Sequence, residues 1–263
     1  MAVVQSDKSV GGGEKSSTPA WSRAELASDP HADDDKPEKV RRMFASIADR
    51  YDLNNRLHSL GRDQAWRRAA VRIAAPRAGE TVLDVACGTG DLSRLFARSE
   101  ASSVVGVDFC PQMLEIARTK TKKDATPIRF VEADAMDLPM DDHSVDIVSI
   151  AFGIRNVADP GKAIAEFRRV LRPGGRLVIL EFSTPRNKTI AWLNTLYSKR
   201  VMPISATLIS RDTSGAYRYL PRSIDTFLRR DELSQLVRDS GFASVTQESL
   251  TFGVCVCHRG VAS

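Results

Sequence analysis

The residues whose types could do chemistry sit in a few short stretches. The run Thr81–Asp91, T-V-L-D-V-A-C-G-T-G-D, carries one acid, Asp84, within apolar sequence and then breaks into Gly88-Thr89-Gly90. An apolar run of this length reads as a buried strand of a parallel sheet, and the glycines as a tight turn into a helix. Glycine there adopts backbone angles that other residues resist and lets a ligand approach the main chain. Asp108 stands eighteen residues after Gly90 and closes a second apolar run, Val104-Val105-Gly106-Val107. A carboxylate at the end of a second parallel strand offers two oxygens to the paired hydroxyls of a ribose. The dinucleotide fingerprint would need a further glycine three places after Gly90, and Ser93 occupies that place. Asp134, Arg155 and Glu181 follow later apolar runs. A guanidinium at such a place either stabilises developing negative charge or forms a structural ion pair with Asp134 or Glu181. His58 and Glu181 are candidate proton acceptors.

The elements that must position these groups alternate as β-α-β. After Asp108 a helix is expected over Pro111–Thr121, a third strand over Ile128–Val131 and a fourth over Val145–Ile150. Pro160–Leu171 reads as a helix stopped by Pro173-Gly174-Gly175, and Leu177–Glu181 as a fifth strand. The alternation requires a parallel sheet with right-handed crossovers, whose ligands bind outside the carboxyl ends of the strands. Gly88–Gly90, Asp108, Asp134, Arg155 and Glu181 all fall at such ends and can converge on one crevice. A helix at Arg230–Ser240 and two strands, Ala243–Leu250 and Gly253–His258, complete the domain with an antiparallel hairpin.

Before the first strand, Val40, Met43, Phe44 and Ile47 make a helical stripe over Val40–Arg50. A break is expected at Tyr51–Asn55, then further helix over Leu57–Ile73. This helical arm (40–75) either covers the crevice or packs on the sheet edge. Residues 1–36, with their Gly, Ser and Asp runs, read as a disordered tail ahead of a domain spanning 37–263.

Composition narrows the class. At 263 residues, 42% apolar and 27% charged, the chain suits one soluble α/β domain with an appendage, and no apolar run approaches the ~20 residues of a membrane span. A net charge of +5 permits polyanion partners, but no aromatic-interleaved basic patch or target-recognition domain points to nucleic acid. Cys87, Cys110, Cys255 and Cys257 fit no zinc spacing, the four histidines are scattered, and no metal is expected; the cysteines read as reduced thiols of a cytoplasmic protein.

The loop D-x-x-x-G-x-G from Asp84 to Gly90, with an acid closing the next strand, resembles the S-adenosylmethionine (SAM) loop of class I methyltransferases; Ala86 replaces its usual first glycine. More particular strings resemble the menaquinone/ubiquinone biosynthesis C-methyltransferases, the UbiE/MenG family. They are A-S-I-A-D-R-Y-D-L-N-N at Ala45–Asn55, L-D-V-A-C-G-T-G-D-L at Leu83–Leu92 and A-F-G-I-R-N-V at Ala151–Val157. F-R-R-V-L-R-P-G-G-R-L at Phe167–Leu177, L-E-F-S-x-P at Leu180–Pro185 and Y-R-Y-L-P-x-S-I at Tyr217–Ile224 complete the set. The resemblance implies a Rossmann-like α/β fold with a mostly parallel seven-stranded sheet, SAM as methyl donor and a polyprenylated quinol as acceptor. Members methylate a demethylmenaquinol ring, a benzoquinol ring, or both. It implies SAM contacts at Thr89, Asp108, Asp134 and Ala135, beside the loop residues Asp84, Gly88 and Gly90. Where the family places a serine before its Phe-Gly, this chain has Ala151 and no hydroxyl.

A quinol hydroxyl resembles a Tyr phenol, with a pKa of ~10, so little is ionised at neutral pH. A nearby cation favours the phenolate, which activates the adjacent ring carbon; Arg155 is the candidate. The acceptor lives in a bilayer, and the insertion 186–222 carries seven basic residues against Asp212 with an apolar stripe at Ile190, Leu193, Tyr197 and Val201. That suits a helical lid docking on the cytoplasmic face of the inner membrane; packing on the sheet or a homodimer contact are the alternatives.

Overall fold

The first three strands alternate with helices, the chain passes from the third to the fourth without one, and a further helix separates the fourth from the fifth. The computed structural model describes residues 19–22, 24–122, 124, 126–197 and 215–263. The strands are β1 (Thr81–Val85), β2 (Ser103–Asp108), β3 (Ile128–Glu132), β4 (Val145–Ala151), β5 (Leu171–Phe182), β6 (Phe242–Leu250) and β7 (Cys255–Ala262). They form one seven-stranded sheet in the order β3-β2-β1-β4-β5-β7-β6. β1 to β5 pair in parallel; β7 is antiparallel to both β5 and β6. Because β1 pairs with β2 on one side and β4 on the other, the strand order reverses there, and the crevice opens past the carboxyl ends of these strands.

The crossovers are α4 (Asp91–Ala97), α5 (Pro111–Thr121) and α6 (Pro160–Val170). α6 shows why they form. Pro160 enters at the first turn, the Asp159 carboxylate accepts from the amides of Gly161 and Lys162, and Ala163, Ile164, Phe167 and Val170 bury one face. Their partners on the sheet include Leu83, Val148 and Ile179. Each large side chain so buried contributes ~1.5–3 kcal/mol. On the other face Trp66, Phe96, Ile147 and Leu180 form a second cluster.

The arm differs from its expected boundaries. It comprises α1 (Lys36–Ile47), α2 (Tyr51–His58) and α3 (Arg62–Ala74), so Tyr51–Asn55 is helical and the break lies at Leu60-Gly61. Both break residues have positive φ, 52° and 73°, a conformation Gly61 adopts without strain. The disordered reading of 1–36 also fails from residue 19 onward. Trp21 is fully buried and stacks on Tyr219 at 4.9 Å between ring centroids, and the buried Lys36 donates to the Val157 carbonyl at 2.6 Å.

Within the insertion, α7 (Lys188–Leu196) and α8 (Ala216–Thr226) are helical. Val201, Lys199, Arg200, Arg211 and Asp212 lie outside the described residues. α9 (Arg230–Asp239) then leads into the β6–β7 hairpin, which runs four residues beyond the expected end at His258, to Ala262. Among the described residues no helix is long and apolar enough to cross a membrane.

Candidate active site

Two cavities meet at the carboxyl ends of the central strands. The first, of about 80 Å³, is lined by Gly88, Asp108, Asp134, Ala135 and Ala151, with Phe109, Met113 and Met136 as apolar walls. The second, of about 180 Å³, is lined by Met43, His58, Trp66, Arg155, Phe182 and Tyr219 among others. Phe44, Tyr51 and Phe152 line both and mark the junction.

The glycine turn builds the first cavity. Gly88 (φ 55°) turns its amide onto the Oδ2 atom of Asp108 at 2.8 Å, and the Cys110 amide donates to Oδ1 at 2.9 Å. Two backbone donors fix the carboxylate at the end of β2 and leave a lone pair on each oxygen for a diol. Burial pushes the Asp108 carboxyl up to about 6 against these hydrogen bonds. Ala86 also has a positive φ, 50°, which explains why glycine is usual there. Its methyl group lies where a side chain on Gly153 would sit, with only 2.6 Å between the two Cβ positions. The two residues therefore fit as a small-residue pair across the crevice.

The structure separates the remaining loop residues from this cavity. Asp84 is buried beneath the loop, where Ser149 donates to its Oδ1 at 2.8 Å and Ser93 to its Oδ2 at 2.6 Å; burial raises its pKa to about 6. Ser93, which excluded the dinucleotide fingerprint, thus anchors the start of α4 to β1. Asp84 and Thr89 line a small adjoining pocket that shares Tyr51, Ala86, Gly88 and Ala151 with the first cavity. Gly90 serves packing: a side chain there would meet the Phe130 ring at 3.1 Å.

The Thr89 hydroxyl donates to Asp52 at 2.6 Å, and Lys120 Nζ bridges Asp52 at 2.6 Å and Asp91 at 2.5 Å. This network ties α2 to the glycine loop and α5, and sequence reasoning missed it. The Tyr51-Asp52 dipeptide within the particular arm string was its one signal. Lys120→Met should cost about 1 kcal/mol, since the three charges are only partly exposed, and lower Tm by ~2–4 °C in a melting experiment. An unchanged Tm would show that the arm is held by packing alone.

Arg155 is 5% exposed at the floor of the second cavity. Its Nη1 donates to Glu181 Oε1 and to the Phe152 carbonyl, both at 2.7 Å. The guanidinium also lies 5.5 Å from the Phe182 ring centroid. The ion pair anticipated as an alternative is therefore present, with Glu181 rather than Asp134 as partner. Glu181 does not line the cavity: it lies behind Arg155 and is 2% exposed, so it is not placed to take a proton directly from a ligand. Burial raises its pKa, opposed by Arg155. His58 does border the cavity, and burial lowers its pKa. The aromatic walls Trp66, Phe152 and Phe182 were not foreseen as a set, because they come from three distant elements. Among the described residues no cluster of three or more His, Cys, Asp or Glu could hold a metal ion.

The ubiE/COQ5 methyltransferase family model matches residues 32–262. The chain belongs to that family. It is 48% identical to a demethylmenaquinone methyltransferase of Thermus thermophilus over 83% of this chain and 99% of that protein. It is 41% identical to a ubiquinone/menaquinone biosynthesis C-methyltransferase of Ectopseudomonas mendocina over 86% of this chain and 90% of that protein. Among solved structures, a SAM-dependent methyltransferase of Thermotoga maritima shares the fold with a TM-score of 0.60 at 20% identity, over 84% of this chain and 98% of that one. As a ubiE/COQ5 family member, the protein is a SAM-dependent methyltransferase. The residues present fit that cosubstrate: a diol acceptor at Asp108, apolar walls for a base, and small residues at 86, 88, 135 and 151 where a ligand must approach the main chain.

Proposed function

We propose that the protein C-methylates a polyprenylated quinol, with demethylmenaquinol as acceptor, in menaquinone biosynthesis. The observation that carries this reading is the pair of cavities joined at Phe44, Tyr51 and Phe152, one with a diol acceptor and the other with an aromatic lining and a buried guanidinium. The first relatives, all demethylmenaquinone methyltransferases by name, favour a naphthoquinol over a benzoquinol ring.

Bound SAM supplies an electrophilic methyl group on a sulfonium centre. Asp108 would accept the ribose hydroxyls, Asp134 and Ala135 would line the nucleoside side, and Asp84, Gly88 and Thr89 shape the adjoining pocket that would take the amino-acid end. Phe44, Tyr51 and Phe152 narrow the junction and keep water from the reacting carbon. Arg155 presents fixed N–H donors to an acceptor hydroxyl and favours its phenolate. Glu181 balances part of that charge, so Arg155 acts as an oriented donor rather than a free cation; Glu181 is a positioning residue. A neutral His58, kept so by burial, takes the ring proton after methyl transfer. The enzyme works at a membrane surface, where its acceptor is held.

A comparison of kcat/KM for short-chain demethylnaphthoquinol and for 2-methoxy-6-prenyl-benzoquinol tests the acceptor. The naphthoquinol should be preferred, and a preference for the benzoquinol would reassign the protein to ubiquinone synthesis. The ionisation of Asp108 adds a second expectation. Its pKa is raised to about 6 from 3.8, so its ionised fraction falls as pH drops through about 6. SAM affinity should therefore weaken between pH 7.5 and 5, with a midpoint near 6, in calorimetric titrations. A flat profile would remove the ionised carboxylate from SAM recognition.

A further inference from the structure

Six large apolar side chains are exposed on two helices that border the acceptor cavity and on the turn after the first of them. Past the junction, α2 and the turn after it expose Leu53, Leu57 and Leu60, the last 79% accessible. α7 exposes Trp192, Leu193 and Leu196. The other faces of these helices line the cavity through Asn55, His58 and Ser59 on one side and Ala191, Asn194 and Thr195 on the other. Tyr197 Oη, just past α7, donates to the His58 carbonyl at 3.0 Å and ties the two helix ends together. Each helix thus lies between the cavity and solvent with a mixed inner side and a strongly apolar outer side, whereas a helix packed on a core turns its apolar side inward.

We infer that the outer faces of α2 and α7 form one bilayer-docking rim around the cavity mouth. Its occupant is a lipid surface carrying anionic headgroups. Charge supports this choice: Arg56, Arg62, Arg186 and Lys188 flank the rim and are exposed, and α7 carries no acid. Composition supports it too, since an exposed Trp among leucines with basic flanks suits the interface, where the indole ring is buried and its N–H stays hydrated. The inference rests on the quinol reading of the cavity, because a rim continuous with the mouth lets a lipid-borne acceptor enter without crossing water. It also shifts the docking surface: the apolar contribution of α2 is not part of the basic insertion.

Trp192 is a built-in reporter. Of the three tryptophans, Trp21 and Trp66 are buried at 0% and 5% exposure, while Trp192 is 63% exposed. Vesicles of phosphatidylglycerol and phosphatidylcholine with brominated acyl chains should quench its fluorescence, and salt should weaken the effect. Leu53→Glu/Leu57→Glu, which replaces no cavity-lining residue, should lower vesicle partitioning about tenfold or more. That variant should still methylate a short-chain acceptor in solution at the parent rate. Absence of quenching, or parent-like partitioning of the double variant, overturns the proposal. So does a dimer in solution that shields Trp192 from an aqueous quencher before vesicles are added. Failure of the parent to methylate the short-chain quinol would instead strike the acceptor assignment, and is read in a separate assay.

Discussion

Asp108→Ala should weaken SAM binding by about a hundredfold or more. The substitution removes a charged acceptor of two hydroxyls, a loss of about 1.5–3 kcal/mol. It also orphans the amides of Gly88 and Cys110, which both donate to this carboxylate in a 6%-exposed site. The glycine turn loses the anchor that holds it against β2, so recognition and preorganisation fail together. Asp108→Asn keeps one acceptor oxygen and should lose about tenfold. Calorimetry on both variants, with a melting curve to confirm folding, separates the effects. Parent-like SAM affinity in a folded Asp108→Asn would place the ribose elsewhere.

Arg155 is expected to show two separable losses. Arg155→Ala leaves Glu181 buried without its counter-charge, a change that costs about 3–5 kcal/mol of stability. If the guanidinium also stabilises the phenolate in the transition state, kcat falls about 10²–10³-fold with SAM binding little changed. The double variant Arg155→Met/Glu181→Leu removes both charges and should regain most of the stability, because an apolar pair of similar volume satisfies the site. Its kcat should remain low. A double variant with parent-like kcat would make the pair purely structural.

The parts of this fold that were legible in the sequence are those with strong local signals. The strand β1, its glycine turn and the acid closing β2 each combine an apolar run with a residue whose chemistry is unusual at that place, and the structure finds them at a single switch point. α6, with its Asp159 cap and Pro160, is equally explicit. Less legible were features that depend on distant partners. Trp21 carries no local signal, because its stacking partner, Tyr219, lies far along the chain. The arm is divided wrongly from sequence because Leu53 is the one strong helix former in Tyr51–Asn55, whereas its helix is held in place by contacts such as Asp52 with Lys120 and Thr89. Thr89 was expected to touch the cosubstrate, yet its hydroxyl is committed to Asp52. Glu181 illustrates the same limit: position at a strand end does not reveal that Arg155 stands in front of it.

Transfer of a labelled methyl group tests the central claim most directly. The protein is incubated with methyl-labelled SAM and a short-chain demethylmenaquinone, in its reduced and its oxidised form, and the organic phase is analysed by mass spectrometry and NMR. A joined pair of cavities that activates a phenol predicts label on a ring carbon, with the reduced acceptor alone. Label on oxygen, equal transfer to the oxidised quinone, or label confined to polar metabolites would contradict it.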